Sequence, residues 1–326
     1  MLFALGDGPK ASPRSSPAEQ DAITDLLTRK VRTISAEVIP PRNGAETEQI
    51  LRQIDTLKAE DVDFISVTKG AGGSLRGGTL PIAQLIRQRG IRSLAHFTCR
   101  DYSIAEVENA LVDHHYFGVR NILALRGDPP DGQTDNFDHS PGRHTYAYEL
   151  VGQIAAMNRG EYLLRPGFDK GVEGLSHRPG TKTDFCIGVA AYPEDEPLER
   201  AVEHFRLKVE SGAHFGITQM LYSVEAYSRF IEASHKAGAR IPVLPGLRVI
   251  TTLATAERMM KKFHVKVPRK LMDALAQCKT KEEGIERGLE FTIALCEQML
   301  KAGAPGIHVF IMNDAGTAAR LMQALR

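Results

Sequence analysis

Beyond residue 30 the chain alternates between two hydrophobic rhythms. Short runs rich in Val, Ile and Phe occupy residues 33–39, 63–68, 93–98, 121–125, 185–191, 215–220, 242–246 and 306–312, and their length and β-branched content predict strands. Between them, apolar residues recur at helical spacing over 45–59, 80–89, 104–117, 147–158, 199–211, 224–237, 254–263 with further helix up to Ala302, and 315–325. Strands alternating with helices pair in parallel through right-handed crossovers, and eight of them close naturally into a (β/α)8 TIM barrel. An open doubly wound sheet is the alternative the same pattern allows.

The first twenty residues mix Gly, Pro, Ser and Lys without apolar periodicity. They predict a mobile tail, then an extra helix starting near Pro17, with residues 21–326 forming a single barrel domain. Two long segments break the rhythm. Residues 129–145 follow the fourth strand and should lie on the catalytic face as a loop over the site, whereas residues 160–184 precede the fifth strand and suit packing or a homo-oligomer contact on the opposite face.

Composition narrows the function classes. The 41 Lys and Arg against 40 Asp and Glu give a formal net charge of +1, so no broad field would gather nucleic acid or anionic lipid. No apolar stretch has the length of a membrane span or a signal-peptide core. Cys99, Cys186, Cys278 and Cys296 form no CxxC pair, which points to reduced thiols in a cytoplasmic protein. Phosphate-loop, HExxH and GxSxG motifs are absent, 70–78 lacks GxGxxG spacing, and His114 and His115 diverge as helix neighbours, which reads as a surface pair.

In a barrel the chemistry gathers where the strands end. Those ends carry Glu37 and Pro40-Pro41-Arg42, Thr68-Lys69-Gly70, His96-Phe97-Thr98, Arg126-Gly127-Asp128, Tyr192-Pro193-Glu194 and Thr218-Gln219. Glu37 stands out as a carboxylate inside an apolar strand, which is costly unless paired or functional. Aimed into the barrel mouth it would have a raised pKa, as a general acid requires; pairing with Arg42 or Arg126 is the structural alternative. Arg126-Gly127-Asp128 offers a cation, a pliant backbone and a carboxylate on one turn. His96 and Gln219 read equally as site groups or as satisfied core residues.

Taken in order, Ala36-Glu37 through Arg42, Phe64-Ile65-Ser66-Val67-Thr68, His96-Phe97-Thr98-Cys99, Ala124-Leu125-Arg126-Gly127-Asp128, Ala190-Ala191-Tyr192-Pro193-Glu194, Ile217-Thr218-Gln219 and Pro245-Gly246 resemble the methylenetetrahydrofolate reductase family. The resemblance implies a barrel that holds FAD, takes hydride from NADH or NADPH and converts 5,10-methylenetetrahydrofolate to 5-methyltetrahydrofolate. Glu37 falls on the general acid, Asp128 on the residue that contacts the pterin and tunes the flavin, and Gln219 on a substrate contact. Thr68, His96, Arg126, Gly127, Tyr146, Ala147 and Tyr192 fall on flavin-lining positions.

Several positions depart from the family pattern. In the helix after the fifth strand, where polar flavin contacts are expected, stand Ala201, His204, Leu207 and Lys208, with Lys208 the clear retention. Leu253 replaces an aromatic that stacks on nicotinamide or folate, and Asp314 stands where an Arg holds the folate tail, leaving Arg248 as the candidate replacement cation. These departures keep two other readings in view: the same reaction with weakly bound or no flavin, by direct hydride transfer, and a non-catalytic folate-binding paralogue.

Overall fold

The computed structural model describes residues 22–41, 45, 47–70, 77–100, 102–128, 140–165 and 177–326. Eight parallel strands, β1 (Thr33–Val38), β2 (Phe64–Val67), β3 (Arg92–Thr98), β4 (Asn121–Leu125), β5 (Cys186–Ala191), β6 (Phe215–Met220), β7 (Val243–Leu247) and β8 (Gly306–Phe310), follow one another around a closed barrel in which β8 returns to β1. Closure excludes the open sheet. The helices α1 (Ile23–Arg29), α2 (Glu48–Ala59), α3 (Thr79–Gln88), α4 (Ile104–Tyr116), α5 (Ala147–Arg159), α6 (Leu198–Glu210), α7 (Val224–Lys236), α8 (Leu253–Phe263), α9 (Arg269–Ala276), α10 (Lys281–Lys301) and α11 (Ala315–Ala324) complete the chain. Helix α2 illustrates the packing: Ile50, Gln53, Ile54 and Leu57 are its buried residues, spaced to lie on one face.

The helical stretch expected after the seventh strand divides into α8, α9 and α10. His264 ends α8 in a left-handed conformation, Pro268 precedes α9, and a Thr280–Glu283 capping box starts α10. Among the described residues no helix is long and apolar enough to cross a membrane. His114 corrects the surface-pair reading. It follows Val107 and Leu111 on the buried face of α4, meets the Phe97 ring edge-on at 5.6 Å, and places Nδ1 2.7 Å from the Ala110 carbonyl oxygen.

The tail expected over the first twenty residues and most of the 129–145 loop lie outside the described residues. Around the second insertion, Glu161–Tyr162 pairs antiparallel with Arg178–Pro179. The buried Glu108 carboxylate of α4 accepts from the Leu163 N–H at 2.7 Å and from Arg178 at 3.3 Å, so the described ends of this segment pack onto α4.

Side chains alternate across each strand, so the barrel interior is filled in layers. Phe64, Leu94, Leu123, Phe215 and Leu244 form an apolar floor with Ile23 and Leu26 of α1. Asn121 ties that helix down: its Oδ1 accepts from Ile23 N at 3.0 Å, and its Nδ2 donates to Ser93 O at 3.1 Å. Replacing Asn121 with Ala strands both backbone groups in a dry interior and is expected to cost about 2–4 kcal/mol, measurable by denaturant unfolding. Above the floor the interior turns polar.

Candidate functional site

Glu37, on the inner face of β1, is only 9% exposed, and its Oε2 lies 3.5 Å from His96 Nε2 on β3. Burial first, and the Asp128 carboxylate second, push the Glu37 carboxyl up to about 8. Burial also pushes His96 down to about 3, so its imidazole is neutral and provides no cation to ionise the acid. Glu37 therefore carries a proton at pH 7. Among the described residues, His96 Nε2 and the nearby Thr98 Oγ1 are buried without a hydrogen-bond partner, as expected where a ligand's polar edge would complete the site.

Directly beneath lies a polar group outside the strand-end residues. His308 of β8 is 1% exposed, with Nδ1 2.8 Å from Ser35 Oγ and Nε2 3.3 Å from Ser66 Oγ. The signal was present as a histidine in the middle of the apolar run Gly306-Ile307-His308-Val309-Phe310. Its place at a strand centre sets it apart from the strand ends where barrel chemistry gathers.

The end of β4 forms one rim of the mouth. Gly127 has φ +102°, and a Cβ there would lie 2.8 Å from Arg100 Cβ and 3.2 Å from Thr98 Cβ, so only glycine lets the chain turn this closely over β3. On either side of it, Arg126 Nε donates to Thr145 O at 3.2 Å, and Asp128 is exposed at the mouth. The Arg126 guanidinium lies 5.9 Å from the Tyr146 ring. Tyr146 in turn stacks on Tyr148 at 5.3 Å with a 9° interplanar angle, and its ring is 6.4 Å from that of His204. Flat aromatic faces, a cation and a backbone without a side chain suit a planar cofactor with an anionic tail. Ala147 is buried at the start of α5, Thr68 is buried after β2, and Tyr192 is exposed beyond β5.

Lys208 is turned inward. Its Nζ donates to Ala190 O at 2.8 Å and lies 5.4 Å from the Tyr192 ring, and burial draws its pKa down to about 8. Its immediate partner is thus the backbone of β5, where it supports the Tyr192 strand end.

The β6–β8 side forms a second rim, across the barrel from β4. Gln219 is partly buried and its Oε1 accepts from Met220 N at 2.8 Å. The strand register shifts between Ile217 and Met220, which turns this end of β6. Arg248 is partly buried, its carbonyl accepts from Tyr222 Oη at 2.8 Å, and burial lowers its pKa while Tyr222, Arg258 and Asp314 act on its charge. Asp314 Oδ1 caps α11 by accepting from Thr317 N at 3.0 Å. Leu253 is partly buried at the start of α8. The structure thus gathers Glu37 and His96 at the centre, Arg126, Asp128, Tyr146 and His204 on one rim, and Arg248 with Asp314 on the other. A separate cavity of about 370 Å³ lies among Glu194, Tyr222, Arg229, Lys266 and Pro268 and includes none of the central groups.

Residues 22–326 match the model of the family described as methylenetetrahydrofolate reductase. The chain is 33% identical to methylenetetrahydrofolate reductase 1 of Schizosaccharomyces pombe, over 86% of this chain and 44% of that protein. It is 27% identical to methylenetetrahydrofolate reductase (NADH) 1 of Arabidopsis thaliana, over 94% and 50%. To 5,10-methylenetetrahydrofolate reductase of Salmonella typhimurium it is 29% identical, over 72% and 70%. The chain spans about half the length of the eukaryotic relatives. The same fold occurs in an uncharacterized Clostridium thermocellum protein that binds two copies of 5-methyl-5,6,7,8-tetrahydrofolic acid, with TM-score 0.57 and 18% identity over 92% of this chain and 98% of that one. With a family model matched from α1 to the C-terminal residue, the chain belongs to the methylenetetrahydrofolate reductase family.

Proposed function

We propose that this chain reduces 5,10-methylenetetrahydrofolate to 5-methyltetrahydrofolate with hydride from NADH or NADPH, using FAD held at the barrel mouth. The observation that carries the reading is a carboxyl, Glu37, buried inside the barrel with Oε2 3.5 Å from His96 Nε2, where burial raises its pKa and lowers that of the histidine. Its proton goes to a folate nitrogen, the bond from that nitrogen to the bridging methylene breaks, and the resulting iminium carbon accepts hydride to become a methyl group. FAD, when bound, supplies the two-electron carrier between nicotinamide and folate.

The remaining residues bind and orient. His96, Thr68 and Gly127 would line the flavin ring with Tyr146, Ala147 and Tyr192. Arg126 and His204 would meet its polar tail, with Lys208 bracing the strand end. Asp128 would hold the pterin and Gln219 the substrate's polar edge. Arg248 would pair with the glutamate tail, and Leu253 would offer an apolar face where the family places an aromatic. Arg248→Ala is expected to raise the KM for folate about tenfold with little change in kcat, the loss of one charge-assisted contact; an unchanged KM would remove Arg248 from the site. Four free cysteines, three of them buried, fit a cytoplasmic setting.

The test is NAD(P)H oxidation driven by methylenetetrahydrofolate, measured after stripping flavin and again after adding FAD. FAD-dependent turnover is expected. Equal turnover in flavin-free protein would replace this reading with direct hydride transfer, which the inward-turned Lys208 and the apolar Ala201 and Leu207 on α6 favour. Folate binding without turnover under every cofactor condition would leave a non-catalytic binder.

A further inference from the structure

The acid's position depends on what holds it from below. In strand register, Ser35 of β1 stands beside His308 of β8, while Glu37 stands beside Phe310 of β8 and Ser66 of β2. Ser35 and Glu37 share the inner face of β1, two residues apart. The His308 imidazole therefore spans the two seams that flank the acid's strand, with one nitrogen at Ser35 Oγ and the other at Ser66 Oγ. Its ring is stacked on Phe64 at 5.9 Å and met edge-on by Phe310 at 5.2 Å, which leaves it little freedom to rotate.

We propose that His308 is a positioning residue for Glu37: pinned through both ring nitrogens between Ser35 and Ser66, it clamps β8, β1 and β2 together and fixes the depth at which the acid sits. The proposal rests on the reading of Glu37 as the proton donor. A neutral imidazole has one donor and one acceptor nitrogen, and serine hydroxyls complement either tautomer. Burial pushes His308 down to about 3, with His96 acting in the same direction, so the ring remains uncharged. Among the described residues, the titratable groups near Glu37 include Asp128, whose charge acts on it, and His96 at 3.5 Å, with His308 one layer below, opposite Ser35. Neither histidine is charged, so neither draws off the carboxyl's proton.

The clamp predicts an effect that a mere core-filling role lacks. If His308 sets the acid's depth, loosening it lets Glu37 relax toward the wet mouth, so its titration falls toward the ordinary carboxyl range and the proton is misplaced relative to folate. The experiment compares His308→Leu and His308→Gln in the full chain. It reads the ¹³C carboxyl titration of Glu37, assigned by its disappearance in Glu37→Gln, together with kcat and KM for methylenetetrahydrofolate. Leucine is expected to lower the Glu37 midpoint by about one pH unit or more and kcat by about 30-fold or more, as a misplacement near 1 Å would, with KM within about threefold. Glutamine, with a donor and an acceptor on a flat amide, is expected to restore most of both. A leucine variant with wild-type titration and kcat overturns the proposal. Should that variant fail to fold, Ser66→Ala and Ser35→Ala each remove one arm of the clamp. Each is expected to shift both readouts in the same direction by a smaller amount, and wild-type behaviour in both overturns the proposal. If the wild-type chain turns over no folate, the reductase reading fails, while the titration still decides whether His308 places Glu37.

Discussion

Glu37→Gln is expected to lower methylenetetrahydrofolate reduction by about a thousandfold, within the range that general acids contribute, while folate binding is retained. The amide preserves size and polarity and removes only the transferable proton. The same substitution should change stability in the opposite sense. In the folded chain burial holds the carboxyl up to about 8, against about 4.5 when exposed. Below pH 4.5 both states carry the proton and the group has no effect on the folding equilibrium. As pH rises toward 8 the unfolded chain has released its proton, so stability is lost progressively and the loss is complete once the folded carboxyl also ionises. At pH 9 the deficit is on the order of 5 kcal/mol, from a shift of 4.5 to about 8 at 1.36 kcal/mol per pKa unit. Glu37→Gln should therefore melt higher than wild type at pH 9 and nearly equal to it at pH 4. Wild-type turnover, if proton transfer limits it, should fall about tenfold per pH unit above 8. An inactive variant with no alkaline stabilisation would show that the carboxyl is not held protonated by burial.

The second large effect is expected at Gly127. Alanine there meets a left-handed φ of +102° and contacts of 2.8 and 3.2 Å to the Cβ atoms of Arg100 and Thr98. The backbone penalty of about 1–2 kcal/mol adds to about 1–3 kcal/mol of overpacking, so Gly127→Ala should lose about 2–5 kcal/mol of stability. Any relief must move the turn, and Arg126 and Asp128 move with it. Residual folded protein is expected to show weakened flavin affinity and reduced turnover, tested by thermal melts and FAD titration. A stable, fully active alanine variant would mean that the turn carries no geometric demand.

Much of this architecture is written in local patterns. The bounds of β4 and β6 coincide with the apolar runs at 121–125 and 215–220. β8 stops at Phe310 rather than at Met312, since Met312 and Asn313 take positive φ values, and β-branched or apolar composition does not reveal a backbone reversal. Glu37 was legible because a carboxylate in an apolar strand conflicts with its surroundings. His308 presents the same conflict, yet its partners come from strands more than 240 residues away in sequence, and no local pattern announces them. Lys208 was legible as a retained cation, but helix spacing alone does not say whether an ammonium turns outward or back onto a strand carbonyl. Likewise, Asp314 reads as a lost arginine in sequence and acts as a helix cap in the fold.

The contrast between the barrel's two halves has a consequence for proton traffic. The floor is closed by Phe64, Leu94, Leu123, Phe215 and Leu244, all buried, with α1 seated beneath them. With the floor closed, a proton reaches Glu37 from the mouth, the opening through which folate would enter under the proposed function. Under the proposed function, a ligand filling that opening would cut the acid off from solvent, and each turnover would begin with a single stored proton. In deuterated water, the isotope on that site would report the solvent met before ligand arrived, not the solvent surrounding the closed complex.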